Sequence, residues 1–370
     1  MTVRIWVLGD QLHASQSALA GVHTAAARVL LVESTSVLQR RAYHGQKLVL
    51  VWSAMRYFAE ELRAAGLKVD HVESESFGAA VRDWITSAGI RELRLMEPAD
   101  RGFRQAIEAL QLPVPLQWIA SNAFLWSREE FAAWAQGYKQ LRLELFYREG
   151  RRRFGVLMEG EGKAAQPLGG QWNFDAENRK PPPKGLQGPA PLWVEPDAIT
   201  QAVIAKLQRI DQERADAGLT PLPGDLEPFR WAVTRAQALA VLEHFIATRL
   251  AGFGPYQDAM VSGEPTLWHA LLSPYLNLGL LHPLEVIRRL EQAGLEQQVP
   301  LAGLEGVIRQ ILGWREYTHG LYHWFGADYP ALNLFGAEQP LPPRFEQLGG
   351  SGLNCLDSVL AELRTNGYAH

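Results

Sequence analysis

The sequence predicts an open parallel α/β sheet followed by an all-helical region, on three observations. Short β-branched or leucine-rich runs alternate with amphipathic segments up to about Ser121, a segment crowded with Gly and Pro runs from Glu159 to Pro196, and no strand candidate follows Asp197. Strands alternating with helical segments imply a parallel sheet covered by crossover helices. The strand candidates are Val3 to Leu8, Val29 to Glu33, Val69 to Val72, Leu93 to Met96 and Leu116 to Ile119. Between them, Ser53 to Ala65 carries Met55, Phe58, Ala59 and Leu62 on one stripe and ends at Gly66, and Ala79 to Ala88 ends at Gly89. Apolar residues three and four apart share a helix face, and glycine readily takes the left-handed conformation that closes a helix. The run Lys47 to Val51 fits the start of the first helix or a strand, and the helix is favoured.

From Ser127 the pattern becomes a helix carrying Trp134, Leu141, Leu145 and Phe146, followed by the Gly- and Pro-rich connector with its triplet Pro181, Pro182 and Pro183. Such composition reads as a linker. Trp172, Phe174 and the charged run Asp175 to Lys180 suggest that it is pinned to the protein. Farther on, Thr234 is placed to cap a helix whose Leu239, Leu242, Phe245, Ile246 and Leu250 face inward. Pro283 suits the first turn of the next helix, and Gly303 to Phe325 forms another. The organisation is therefore an α/β unit over 1–125, a helix and linker over 126–225, and a helical unit over 226–370.

A chain of 370 residues with 47% hydrophobic and 10% aromatic content supports packed cores rather than disorder. Its formal net charge of -4 gives no global attraction to nucleic acid, so polyanion binding requires a local basic surface. One cysteine excludes an internal disulfide framework. Met1 to Leu12 lacks the pattern of a signal peptide, and no run approaches a membrane span, so the chain reads as cytoplasmic with no membrane partner.

The first strand runs into Gly9-Asp10-Gln11-Leu12, with neither a dinucleotide-binding glycine pattern nor a P-loop. Asp10, with Glu33 at the end of the second strand, would place two acceptors at the edge where open α/β sheets bind ligands; a solvated turn is the alternative. In the helical half, Gly254 to Asp258, Leu267 to Asn277 and Arg309 to Tyr317 are polar and aromatic where a plain core helix would be aliphatic. On the last of these, Gln310, Trp314, Tyr317 and Leu321 share one face by spacing, and Arg309 and Glu316 another. A flat aromatic ligand with amide edges and phosphates would use such a mixture, and so would an interhelical core with satisfied polar groups.

Taken in order, several segments resemble the photolyase-related family of bacterial cryptochromes and (6-4) photolyases that carry an iron–sulfur cluster. They are Leu8-Gly9-Asp10-Gln11-Leu12, Gln46-Lys47-Leu48 with Ser53-Ala54-Met55-Arg56, and Phe146-Tyr147-Arg148-Glu149. Trp172-Asn173-Phe174-Asp175 with Glu177-Asn178-Arg179-Lys180-Pro181 follows, then Tyr256-Gln257-Asp258-Ala259-Met260 and Leu272-Ser273-Pro274. Gly313-Trp314-Arg315-Glu316-Tyr317 and Asn354-Cys355-Leu356 complete the series, which spans nearly the whole chain.

The resemblance implies an N-terminal antenna domain holding a lumazine-type chromophore and a helical domain holding FAD, with UV-damaged DNA docking over the flavin of a monomer. Asp10 and Glu33 become antenna-site candidates. Tyr256, His269, Ser273, Asn277, Trp314 and Tyr317 would line or support the flavin, and Gln310 would face the lesion. Asp175 and Asp258 resemble the family's acidic pair, sometimes linked with a divalent cation. Arg148, Arg151, Arg152 and Arg153 with Arg179, Lys180 and Lys184 would bind phosphates, unless they form a solvated helix end. Cys355 resembles the first of four 4Fe-4S cluster ligands, and His370 the first histidine of a Tyr-Ala-His-His motif whose next member protonates the lesion. One thiolate cannot hold such a cluster, so the match implies a C-terminally truncated chain with exposed apolar faces and poor solubility. The implied activity is light-driven electron transfer from reduced FAD to a damaged pyrimidine pair, with (6-4) products favoured over cyclobutane dimers. The competing readings are a blue-light-sensing cryptochrome without repair and a cofactor-free module that binds DNA or protein.

Overall fold

The computed structural model describes residues 3–40, 43–160, 162–346 and 348–369. The five predicted strands form one parallel sheet among the described residues: β1 (Val3–Trp6), β2 (Ala27–Ser34), β3 (Lys68–Ser74), β4 (Leu93–Met96) and β5 (Leu116–Ile119), in the order β3-β2-β1-β4-β5. Registers run from Val3 opposite Ala27, Arg28 opposite Lys68 and Leu93 opposite Leu116. Side chains alternate across a strand, and here both sheet faces are covered. Ile5, Val7, Val29 and Leu31 point into one apolar core, and Trp6, Leu8, Leu30 and Val32 into another.

A short turn α1 (Val37–Arg40) precedes α2 (Gly45–Ala64), so the ambiguous run Lys47 to Val51 is helical. Helix α2 covers the first face; α3 (Phe77–Ser87), capped by Ser76, and α4 (Arg101–Glu108), capped by Asp100, cover the second. The single helix expected from Ser127 is instead two. Helix α5 (Arg128–Gln136) starts on a Ser127–Glu130 capping box, and α6 (Leu143–Phe154) closes on Gly155 in the left-handed region. Gly137 and the non-helical segment Tyr138 to Arg142 separate them, and because Leu141 still packs with the aromatic residues of both helices, spacing alone bridged a real break.

The connector is pinned. Strands β6 (Met158–Glu159) and β7 (Gln166–Pro167) form a small antiparallel pair, and Arg151, fully buried, donates to the carbonyls of Val156 (3.3 Å), Leu157, Gln171 (3.3 Å) and Trp172 (2.9 Å). Helix α7 (Ala198–Asp216), capped by Asp197, then lays Val203, Ile204 and Leu207 in the same core as α2.

The remaining helices are α8 (Arg235–Thr248), α9 (Leu250–Tyr256), α10 (Ser273–Leu278), α11 (Pro283–Glu296) and α12 (Leu301–Ile308). A π-helix (Arg309–Arg315) leads from α12 into α13 (Glu316–Trp324); the turn α14 (Pro343–Glu346) and helix α15 (Asn354–Asn366) follow. Thr234 caps α8 with Gln237 completing a capping box, and Pro283 occupies the first turn of α11, both as the sequence predicts. No described helix is long and apolar enough to cross a membrane.

Replacing Arg151 by Met should strand the carbonyls of Val156, Gln171 and Trp172, while that of Leu157 keeps Leu168 N–H, and cost about 2–4 kcal/mol of stability. Urea unfolding of the variant beside the wild type measures this, and equal midpoints would contradict the assigned role.

Candidate functional site

The strand order changes direction between β1 and β4, and ligands of open α/β sheets bind outside the carboxyl ends of the strands at such a point. A cleft lies there. Asp10 and Gln11 after β1, Met96 at the end of β4, and Asn122 and Ala123 after β5 form one wall, and Leu276, Gly279, Leu281 and His282 from the helical half form the other. Gln11 fastens the first wall together: its Nε2 donates to the carbonyls of Met96 (3.0 Å) and Glu97 (3.4 Å), while Leu8 N–H donates to its Oε1 (3.4 Å). The two walls meet where Leu12 N–H donates to the Leu278 carbonyl at 2.8 Å. Gly279, at φ +83°, is required at that approach, since a Cβ would stand 3.1 Å from the Leu12 nitrogen in a conformation side chains disfavour.

Burial pushes the Asp10 carboxyl up to about 6, with nearby Asp100 adding to the effect. His13 and His282, their rings 5.9 Å apart, are both held below the usual histidine value, chiefly by burial. His282 Nε2 is 3.1 Å from the Asn122 carbonyl, and His13 Nε2 is 3.3 Å from Arg235, which in turn pairs with Glu285. Most of these polar groups are spent within the walls: Ser15 N–H donates to His13 Nδ1 (3.1 Å), Leu284 N–H donates to His282 Nδ1 (3.3 Å), and the Asn122 amide bonds Ser17 N–H (3.0 Å) and the Ser15 carbonyl (2.9 Å), while the cavity between them, about 20 Å³, holds about one water molecule.

Glu33 does not join it. Its side chain is fully buried and receives Arg56 (2.7 and 2.9 Å) and Lys206 (2.9 Å), with His71 Nε2 at 3.0 Å. Burial opposes its ionisation, but these partners prevail and hold its pKa at about 2. Glu73 joins through Arg56 and Lys206, so the expected ligand acceptor is instead an anchor between β2, β3, α2 and α7.

In the helical half, the Tyr256 ring lies 4.9 Å from that of Trp268, tilted by 36°, and His269 is buried with its carbonyl accepting from Arg249 at 2.8 Å. Ser273 and Asn277, four residues apart on α10, are both exposed, and Tyr368 hydrogen-bonds Ser273. Trp314 and Gln310 are exposed on the π-helix, whereas Tyr317 is buried among Trp126, Phe131, Trp134 and Phe146. The six expected flavin residues are therefore not brought to one place: Tyr256 lies against Trp268, His269 is buried, Ser273 and Asn277 share the open face of α10, and Tyr317 belongs to a separate aromatic cluster with Trp314 at its edge.

The basic residues also divide. Arg151 is structural, as described, and unavailable to a phosphate. Arg152 lies 4.5 Å over the Trp172 ring, and Arg148 bonds Glu144 at 2.8 Å; Arg153 lies 4.5 Å over Trp126 and pairs with Glu130. Lys180 and Lys184 are exposed. Asp175 and Asp258 are brought together, but around Arg179, which pairs with Asp175 and lies 3.4 Å from Asp258. Among the described residues no group of three or more His, Cys, Asp or Glu suits a metal ion. Cys355 is exposed in the first turn of α15, one thiol where a cluster needs four ligands, and His370 lies outside the described residues.

Sequence reasoning did not single out His13, Asn122, His282 or Glu305. The first three are brought together only by the docking of the two halves. Glu305 and Arg309 had a local signal, an acid and a base four residues apart in an otherwise apolar helix.

A family model described as deoxyribodipyrimidine photo-lyase-related protein matches residues 5–231. A (6-4) photolyase of Agrobacterium fabrum is 39% identical over 380 residues, covering 100% of this chain and 72% of that protein. An uncharacterized protein of Acanthamoeba polyphaga mimivirus is 31% identical over 107 residues, 29% of this chain and 81% of its own length. The crystal structure of a bacterial class III photolyase from Agrobacterium tumefaciens matches with a TM-score of 0.56 at 17% identity, over 100% of this chain and 70% of that one, which shows the shared fold.

The two carboxyls predict opposite pH behaviour. Asp10 binds its proton more tightly folded than unfolded, so its ionisation lowers stability as pH rises from about 4 to about 6. Asp10→Asn should remove that loss and gain on the order of 1–2 kcal/mol at pH 8. Glu33 is held ionised, so its contribution is complete above about 4.5 and is lost as pH falls toward 2. Glu33→Gln should cost about 3 kcal/mol at pH 7. Denaturant titrations at pH 3 to 8 check both signs.

Proposed function

Because the chain belongs to the deoxyribodipyrimidine photo-lyase-related family, we propose that it carries out light-dependent repair of UV-induced pyrimidine lesions of the (6-4) class, using reduced FAD. The observation that carries this reading is the outer face of the π-helix. Gln310 and Trp314 stand exposed there, and the neighbouring Arg309 is paired with Asp175 of the connector that also bears Arg179 and Lys180. π-helical turns recur at functional sites because they re-aim side chains that a regular helix would stagger. Gln310 offers donors and an acceptor to a base edge, and Trp314 offers a ring to an unstacked base; a damaged base costs least to flip out.

Tyr256, His269, Ser273 and Asn277 would hold the flavin, with Trp314 and Tyr317 supporting the lesion side. Reduced FAD, when bound, supplies the photoexcited electron. Arg152, Arg153, Arg179, Lys180 and Lys184 would bind phosphates as a local basic supply in an acidic chain. Asp10, at the strand-end cleft, would hold a lumazine-type antenna. The single Cys355 does not supply a cluster ligand set, and no step is assigned to it.

The test loads the 370-residue chain with FAD and illuminates it with a duplex carrying one (6-4) lesion. Restored pyrimidines are expected, and Gln310→Ala should slow restoration about tenfold while leaving flavin absorbance unchanged. Flavin photoreduction with no repair by the wild type would favour a light-sensing role instead.

A further inference from the structure

Five charged side chains alternate in sign from the core outward: Glu305, Arg309, Asp175, Arg179 and Asp258. Their side-chain exposures rise in that order, from 0% through 10%, 28% and 50% to 57%. The inner end is fixed by packing. Glu305 is fully buried near Tyr147, accepts from Phe174 N–H at 3.2 Å and lies 3.5 Å from Arg309. The chain then passes from α12 and the π-helix into the connector, whose backbone is held alongside. Asn178 donates to the Ala302 carbonyl at 2.9 Å, Arg179 N–H to Gly254 at 3.1 Å and Lys180 N–H to Pro255 at 2.8 Å. Arg179 itself sits at φ +60°, a conformation that persists in a non-glycine residue only where its surroundings enforce it.

We infer that Glu305 and Arg309 are positioning residues that hold the segment 173–180 so that Arg179 meets an incoming phosphate in a fixed place. A guanidinium held between two carboxylates is oriented before contact, and exchanging one exposed partner for a phosphate requires little reordering. Buried Glu305 never reaches the ligand. This inference rests on the reading that the face receives DNA.

The test compares wild type, Arg179→Gln, Glu305→Gln and the double variant in binding a 15-base-pair duplex with one (6-4) lesion across a salt series. Hydrogen exchange at the amides of Phe174, Arg179 and Lys180 is followed in parallel. Each single variant should weaken binding about three- to tenfold and reduce the slope of log K against log salt by about one, with the double variant no weaker than Arg179→Gln alone. Arg309→Lys keeps the charge but not the two-sided fork, and carries the same expectation should Glu305→Gln fail to fold. Additive losses overturn the inference, as does unchanged binding with the amides still protected. Should the wild type bind no duplex, the DNA reading fails by itself; exchange then decides, with lost amide protection in Glu305→Gln supporting the positioning role and retained protection overturning it.

Discussion

Helix α2 is buried on nearly every side, and the rest of the molecule depends on that. Trp52, Ser53, Ala54 and Met55 are consecutive and all buried, which a helix covered on one side cannot achieve. The helix lies between the sheet face built from Ile5, Val7, Val29 and Leu31 and the packing of the helical half, so one continuous core serves both. Strand ends, cleft and connector all take their positions from it. Val51 and Met55 close over the turn at Gly9, Arg56 reaches Glu33, and Tyr57 bonds Asp197 at the start of α7.

Irregular segments leave main-chain carbonyls without helix or sheet partners, and buried arginines satisfy them here. Arg151 does so for residues 156–172. Arg249, whose pKa burial lowers to about 10, does so for His269 (2.8 Å) and Pro189 (2.5 Å). A guanidinium has five donors in a rigid plane, so one side chain can fasten several turns of chain that lack regular structure. The long connector is therefore a fitted part of the fold, and the face that carries Gln310 and Trp314 inherits its shape from it.

The sheet was legible because its strands are buried on both faces and read as short apolar runs between turn signals; all five appear where the runs stand. The caps at Thr234 and Pro283 were legible because capping chemistry is local. Where tertiary contacts decide, sequence was mute or misleading. Three consecutive arginines, 151 to 153, look alike on paper, yet helix geometry turns Arg151 into the core and leaves its neighbours nearer the surface. Glu33 looked like a strand-end acceptor, but the cations that claim it come from Arg56 and from Lys206, 173 residues away. The histidine pair of the cleft joins residues 13 and 282, and no local pattern announces such a meeting. The family segments gave Tyr256, Ser273 and Trp314 a common purpose, while packing sets Tyr256 against Trp268, Ser273 on the open face of α10 and Trp314 beside the Tyr317 cluster.

The close approach of Gly279 to Leu12 bears on how the two halves keep their distance. A backbone bonded directly across the seam acts as a spacer of set thickness, with no side chain to swing aside and no slack to take up. Parting the two halves here would break a main-chain bond rather than turn a side chain, so the spacing behind the strand ends is set once the chain has folded.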